Sequence, residues 1–178
     1  YLAGTENNEA LVILADSLAK ATMYHINDTL YLADLYYYSG VCNYLTAKYD
    51  EALKSFSYSI TAKKEAGVTD ENYSKSLYNA GLSGLHTGDI IQTISFAKEY
   101  LTMAGDDLQN TVDAYSVLAS ASMEYRDYDN SIKYAFTALN IITGNQQEFQ
   151  AKSLVNLYST LGVGYAKMAD FAKAKLYL

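Results

Sequence analysis

The side chains that could do chemistry in this sequence are few and far apart. The two histidines, His25 and His86, lie in different parts of the chain, with no carboxylate or cysteine near either at metal-ligand spacing. Cys42 is the only cysteine and falls on the inward side of a predicted helix, between Gly40 and Tyr44. A nucleophilic thiol needs an electropositive, partly exposed setting, so we expect Cys42 to be an inert core residue.

Two further patterns could suggest an active site. The segment GLSGLHTGD (81–89) is glycine-rich, but it lacks the Gly-Lys-Ser/Thr ending and the preceding strand of a phosphate loop. The paired acids Asp106 and Asp107 are interpreted as a helix start. The sequence therefore predicts no metal site, no cofactor and no enzyme activity.

Composition restricts the class of protein further. The chain has 178 residues, half of them apolar and none of them proline, which suits a helical domain with a buried core. Its net charge is −7, and Arg126 is the only arginine, so nucleic-acid binding by this segment is disfavoured. No apolar run is long enough for a membrane span, and no signal-peptide pattern opens the sequence. A single cysteine leaves the compartment open between cytoplasmic and extracytoplasmic.

One nine-residue phrase occurs four times along the chain. It reads KYDEALKSF from Lys48, DIIQTISFA from Asp89, DYDNSIKYA from Asp127 and DFAKAKLYL from Asp170. Each copy follows a bulky residue and a small one four places later, a spacing that puts both on one helix face. The pattern predicts pairs of antiparallel helices, with the phrase opening the second helix of each pair.

Small residues mark where the two helices of a pair would approach each other. On the first helices they are Gly40, Gly81, Ala119 and Gly162, and on the second helices Ala52, Thr93, Ser131 and Ala174. Because glycine inside a helix costs about 1 kcal/mol relative to alanine, its recurrence suggests a steric reason. The corner between the helices would be filled by Tyr49, Ile90, Tyr128 and Phe171.

The predicted helix ends agree with this period. Left-handed C-terminal caps are expected at Gly67, Gly105 and Gly144, and N-caps at Thr69/Asp70, Asp106/Asp107 and Asn145. We expect one array over 1–178, divided into 28–67, 68–105, 106–144 and an incomplete 145–178. Residues 1–27 would hold the second helix of an earlier repeat, at 7–21, so the chain is expected to be part of a longer array.

This pattern resembles the tetratricopeptide repeat (TPR), in a divergent bacterial form with repeats of 38–43 residues. Gly84 and Thr93 depart from the family's preferred Tyr and Ala. The resemblance implies an all-α, right-handed superhelical solenoid of antiparallel helix pairs. It also implies a concave face, lined by the first helices, that holds a peptide or a protein segment.

The resemblance places the groove residues by register. They are Asp34, Tyr37, Val41 and Tyr44; Lys75, Tyr78, Leu82 and His86; Asp113, Ser116, Ser120, Met123 and Glu124; and Asn156, Ser159, Val163 and Lys167. Some family members bind a terminal carboxylate with Lys and Asn side chains on successive first helices. In this sequence Tyr37 and Val41 hold the first of those positions, and only Asn79 matches the Asn of the second repeat, so such a carboxylate clamp is disfavoured. An apolar or mildly basic segment suits the acidic chain better.

Ordinary packing is the alternative for many of these residues. Consensus packing positions are held by Tyr36, Tyr49, Tyr115, Tyr128, Tyr158 and Tyr165, which we expect in the core. Tyr37, Tyr44 and Tyr78 could face the groove or be partly buried against the adjacent repeat. The pairs Asp50-Glu51 and Lys63-Lys64 are expected on a solvated face.

Three functions remain open. The first is a non-catalytic protein- or peptide-binding region of a larger bacterial signalling or regulatory protein. The second is an intracellular receptor for a short signalling peptide, for which Asn156 could hold the ligand backbone. The third is a structural spacer that forms homo-oligomers through its end repeats. The sequence identifies neither the partner nor the oligomeric state.

Overall fold

The computed structural model describes Ile13, Ser17, residues 29–145, Phe149 and residues 151–178. In these parts of the chain the secondary structure is entirely helical. The helices are α1 (Thr29–Leu45), α2 (Tyr49–Glu65), α3 (Glu71–Thr87), α4 (Ile90–Met103), α5 (Leu108–Glu124), α6 (Tyr128–Gly144), α7 (Ala151–Lys167) and α8 (Phe171–Tyr177). None of these described helices is long and apolar enough to cross a membrane. The helix predicted at 7–21 lies outside the described residues, except that Ile13 and Ser17 are helical.

The helices belong to two compact units, the first ending at Thr87 and the second beginning at Gly88. In the first unit α1 packs on α2, α2 on α3, and α1 also on α3. In the second unit each helix from α4 to α8 packs on the next, and α5 also packs on α7. Within each unit, then, neighbouring first helices of the predicted pairs lie side by side. The division into four repeats stays a prediction.

Aspartate side chains start most of the helices. The carboxylates of Asp89, Asp107, Asp127 and Asp170 each accept a hydrogen bond from the backbone amide three residues on. Asp70 does the same for the amide of Tyr73, at 2.8 Å. The predicted N-caps at Asp70 and Asp107 are thus confirmed. The prediction for Asn145 is wrong, because its side-chain amide donates back to the carbonyl of Ile141 at the end of α6.

Left-handed residues form the turns. Gly67 and Gly105 have φ of 68° and 53°, as predicted for C-terminal caps. Gly144 does not, because it is the last residue of α6 and the chain leaves the helix through an extended Asn145. The turn before each phrase also contains a left-handed residue, at Ala47, Gly88, Arg126 and Ala169. Glycine fills that position only once, so the turn geometry is imposed by the packing of the helix pair.

The small residues lie where the helices of a pair come closest. A Cβ atom added at Gly40 would lie 2.6 Å from the ring of Phe56 on α2, and one at Gly162 would collide with Leu178. Ala119 is fully buried, and its carbonyl accepts a 2.8 Å hydrogen bond from the Ser131 hydroxyl on α6. The matching small residues of the second helices, Ala52, Thr93, Ser131 and Ala174, are all buried. The steric reason predicted for the small residues is confirmed at these contacts.

The predicted aromatic core is largely wrong. Phe171 is 70% exposed, and Tyr158 is also exposed, while the other consensus tyrosines are only partly buried. The core of the second unit is aliphatic instead, built from Val112, Ala119, Ala135, Ala138, Leu139, Leu157 and Leu161. Tyrosines flank it because a buried phenol needs a hydrogen-bond partner for its hydroxyl. Tyr100, one of the fully buried tyrosines, has such a partner in Asn110 at 2.7 Å.

Replacing Gly40 by alanine tests the close approach of α1 and α2. Alanine normally stabilises a helix interior relative to glycine. At Gly40 the added methyl group meets the Phe56 ring, so we expect Gly40→Ala to lower the free energy of unfolding by about 1–2 kcal/mol through overpacking. Gly144→Ala is the control, since nothing lies within 4 Å of the Cβ position there. Urea denaturation that shows equal effects at the two sites would contradict this packing.

Candidate partner-binding faces

The structure places two sets of predicted groove residues on pairs of neighbouring first helices. We call the surface formed by α1 and α3 the first-unit face and that formed by α5 and α7 the second-unit face. On the first-unit face Asn72 donates a 2.8 Å hydrogen bond to Asp34, which ties α3 to α1 near their starts. Towards their other ends the rings of Tyr44 and His86 meet edge to face, with centroids 6.0 Å apart. Val41, Tyr78 and Leu82 are partly buried, whereas Lys75 is exposed and pairs with Glu71.

Tyr37 offers little surface to a partner. It is only 9% exposed, and its ring packs 5.1 Å from that of Tyr38 and 6.2 Å from that of Phe56. Burial raises the pKa of the Tyr37 hydroxyl, although the charge of Lys75 opposes this. The exposed neighbour is Tyr38, which the repeat register did not select. Between groove exposure and burial, the structure favours burial for Tyr37.

An aromatic cluster closes one end of the first-unit face. The His86 ring stacks on Tyr49, the first residue of α2, with centroids 4.0 Å apart and planes 11° apart. The Tyr44 ring lies edge-on to the Tyr49 ring, with centroids 5.4 Å apart, and burial raises the pKa of the Tyr44 hydroxyl. His86 therefore serves as a packing surface for Tyr49 as well as an exposed residue of the face.

A buried ion-pair network supports the other end of this face. The Lys63 ammonium lies 2.8 Å from Asp34 and 2.6 Å from Asp70, and its side chain is 1% exposed. Burial disfavours the charge of Lys63, but the hydrogen bonds that its ammonium donates to the two carboxylates outweigh this effect and raise the lysine pKa. The prediction of a solvated face is therefore right for Lys64, Asp50 and Glu51 but wrong for Lys63.

Five predicted residues of the second-unit face meet around one hollow. The hollow has a volume of about 190 Å³ and is lined by Ser120, Met123, Glu124, Ser159, Thr160 and Val163. Thr160 is the one lining residue that the register did not select. Four selected residues lie outside the lining. Ser116 donates its hydroxyl to the carbonyl of Val112 at 2.8 Å, Asn156 and Lys167 are exposed on α7, and Asp113 is described next.

Asp113 is a carboxylate of the second-unit face that forms no ion pair with a described residue. Its Oδ1 accepts hydrogen bonds from Gln109 at 2.9 Å and Ser153 at 3.5 Å. Burial raises the pKa of Asp113, and these two neutral donors only partly offset the effect. Ile142 holds the position in α6 that Lys63 holds in α2, counted from the helix start, so the lysine that balances Asp34 has no equivalent here.

The described residues outside the two faces offer little that could bind a partner or do chemistry. A hollow of about 240 Å³ lies between α1 and α2, lined by residues such as Tyr36 and Tyr58, and contains none of the predicted groove residues. Cys42 is buried, as predicted, and burial raises the pKa of its thiol. Among the described residues no group of three histidine, cysteine or acidic side chains is placed to bind a metal ion.

The negative charges of Asp70 and Asp113 are expected to have opposite effects on the free energy of unfolding. Burial opposes the Asp70 charge, but hydrogen bonds from Lys63 and the Tyr73 amide prevail and lower its pKa. Asp70 therefore stabilises the native state above its ordinary pKa of about 4, and loses this effect on acidification. The raised pKa of Asp113 means that its charge destabilises the native state at neutral pH, and that protonation removes the penalty as pH falls.

We expect Asp113→Asn to raise the free energy of unfolding by about 0.5–1 kcal/mol at pH 7. Asp70→Asn should lower it, by no more than a similar amount, because solvent screens the half-exposed carboxylate. Both differences should shrink at pH 3, where most aspartates are protonated. Urea denaturation at pH 7 and pH 3 measures them, and a loss of stability in Asp113→Asn at pH 7 would contradict the assignment.

Comparison with known proteins gives independent support for the fold. No family model matches the sequence, and no curated protein matches it significantly. Among solved structures, BtubC (BKLC) from P. vanneervenii matches with a TM-score of 0.80 and 17% identity, over 97% of this chain and 70% of that one. The TPR-like repeats of a putative kinesin light chain from Podospora anserina match with a TM-score of 0.79 and 9% identity, over 98% and 84%. The all-α prediction is confirmed, and the chain has the TPR-like helical repeat fold.

Proposed function

We propose that this chain is a non-catalytic scaffold that binds a protein or peptide segment through its first-helix faces. The observation that carries the proposal is the hollow between α5 and α7. Five residues selected by repeat register alone line this one concavity: Ser120, Met123, Glu124, Ser159 and Val163. A site assembled from two neighbouring repeats is the usual consequence of stacking helix pairs, because each pair contacts only its neighbours.

The two faces offer different surfaces to a partner. The first-unit face supplies Val41, Leu82 and partly buried Tyr78, together with Lys75. The second-unit face supplies hydroxyl groups together with a thioether and a valine. Among the side chains that the structure describes, neither face shows a pair of cationic groups for a terminal carboxylate. An apolar or mildly basic segment fits these groups and the net charge of −7.

The biological setting belongs to the same proposal. We place the chain as the sensing or interaction region of a larger bacterial signalling or regulatory protein, with its repeats at 28–67, 68–105, 106–144 and 145–178. The similar solved structures support the helical repeat fold and not this biological setting. A receptor for a short free peptide uses the same faces and would differ in needing no larger partner, with exposed Asn156 free to hold a peptide backbone.

Self-association is a second candidate, favoured by exposed apolar side chains in the second unit. Phe171, Leu176 and Leu178 are 70–79% exposed, and Val155 is 66% exposed. Apolar surface of this kind is often covered by another chain. Light scattering over a range of concentrations separates the candidates. Self-association is supported if the mass of the parent chain rises from monomer to dimer with concentration while the mass of Phe171→Glu stays that of a monomer. A parent chain that keeps the monomer mass at every concentration excludes self-association.

Blocking the hollow tests the binding function. A phage-displayed library of 12-residue peptides is selected on the immobilised domain, and the enriched peptides are measured against two variants. Ser159→Trp, on exposed Ser159, fills the hollow and should weaken binding at least tenfold. The control, Asn140→Trp, places the same side chain on an exposed position of α6 and should bind like the parent. Equal binding by both variants would move the site elsewhere, and a selection without enriched peptides would contradict peptide binding altogether.

A further inference from the structure

We propose that the hollow between α5 and α7 receives a single lysine or arginine side chain of the partner. This inference rests on the proposed function and specifies the chemistry of one subsite within it. A basic side chain has an apolar stem and a cationic end, and the hollow presents complementary groups for both.

The apolar wall comes from Met123 and Val163. Met123 on α5 reaches towards α7, where a Cβ atom on Gly164 would lie 3.3 Å from the Met123 methyl group. Val163, on α7, is 37% exposed, so part of its surface is open to a ligand. Methionine adapts to irregular shapes and packs well against methylene groups, and basic side chains commonly lay their stems on such surfaces.

The polar part of the lining consists of the Glu124 carboxylate and the hydroxyls of Ser120, Ser159 and Thr160. Glu124 is the only charged residue in the lining, and it is exposed. Its carboxylate makes no ion pair with any residue that the structure describes. The three hydroxyls are likewise without a side-chain hydrogen bond to the described parts of the chain, unlike Ser116, which bonds to Val112.

These acceptors suit an ammonium or guanidinium group. Lysine has three donors and arginine five, and neither has an acceptor, so each needs several oxygen atoms around it. One carboxylate and three hydroxyls provide them, with a net negative charge that disfavours an acidic side chain. The volume of about 190 Å³ corresponds to about six waters at ~30 Å³ each, which is enough for one long side chain and a few retained waters.

Substitution of Glu124 provides the test, using the peptides enriched on the parent domain. In each peptide the basic residues are replaced one at a time, lysine by norleucine and arginine by citrulline, which keep the stem and remove the charge. At one position the replacement should weaken binding to the parent about tenfold, the loss typical of a charge-assisted hydrogen bond. Glu124→Gln should lower affinity for the unmodified peptide by a similar factor and lose most of the discrimination.

Two further variants keep the result interpretable. Glu124→Lys should enrich peptides with an acidic residue in place of the basic one, a change of specificity that partial unfolding cannot imitate. Glu51→Gln is the control, since Glu51 is an exposed glutamate of the first unit, and it should bind like the parent. Circular dichroism confirms that each variant is folded.

The outcomes separate the subsite from the function. Enriched peptides that bind through the hollow but tolerate loss of every positive charge would overturn the lysine or arginine subsite and leave the binding scaffold in place. Full discrimination by Glu124→Gln would also overturn it, because the cation would then be held elsewhere. A library that yields no peptides overturns both proposals.

Discussion

The structure depends on the close approach of two antiparallel helices at a pair of small residues. At Gly40 and Phe56 the space between α1 and α2 leaves no room for a methyl group. At Ala119 and Ser131 the approach is close enough for a hydroxyl on one helix to bond a carbonyl of the other. Such contact fixes the depth at which the helices of a pair interdigitate, and with it which of their residues remain on the surface. The left-handed turns at Ala47, Arg126 and Ala169 follow from the same constraint, since non-glycine residues adopt this conformation only where packing requires it.

The faces used for recognition are what this packing leaves free. Within the units, α1, α5 and α7 each bury one side against their own second helix, and α1 packs on α3 as α5 packs on α7, so the remaining strip carries the chemistry. In the first unit the strip is stiffened at one end by the Lys63 network and at the other by the stack of His86 on Tyr49. In the second unit Asp113 has no such cation among the described residues, and the α5–α7 strip carries the hollow lined by hydroxyl groups, Met123, Glu124 and Val163.

Local periodicity predicted the parts of the fold that depend on local contacts. The helix pairs, the small contact residues and the caps at Asp70 and Asp107 all follow from spacing within one repeat. The burial of Lys63 does not follow from this spacing, because its partner Asp34 lies on another helix and no other repeat has a lysine at that position. The consensus tyrosines were misplaced for a different reason: tyrosine can sit at the edge of a core, and only tertiary packing decides how much of the ring is covered.

The candidate site likewise has residues that the sequence predicted and features that it did not. Register alone selected five of the six residues that line the hollow, because groove positions repeat with the helices. It could not show that Tyr37 is covered, or that Met123 reaches across towards Gly164, since both depend on distances between side chains of different repeats. The exposed Tyr38 beside Tyr37 had no signal in the repeat pattern.

Methyl NMR of the methionines tests most directly whether a partner binds the second-unit face. With the methionine methyl groups labelled with ¹³C, an enriched peptide is titrated into the folded domain. We expect the Met123 signal to shift and to saturate with the bound fraction, while the Met103 signal on α4 stays in place. A saturating peptide that leaves Met123 unmoved and shifts Met103 would contradict binding at the second-unit face.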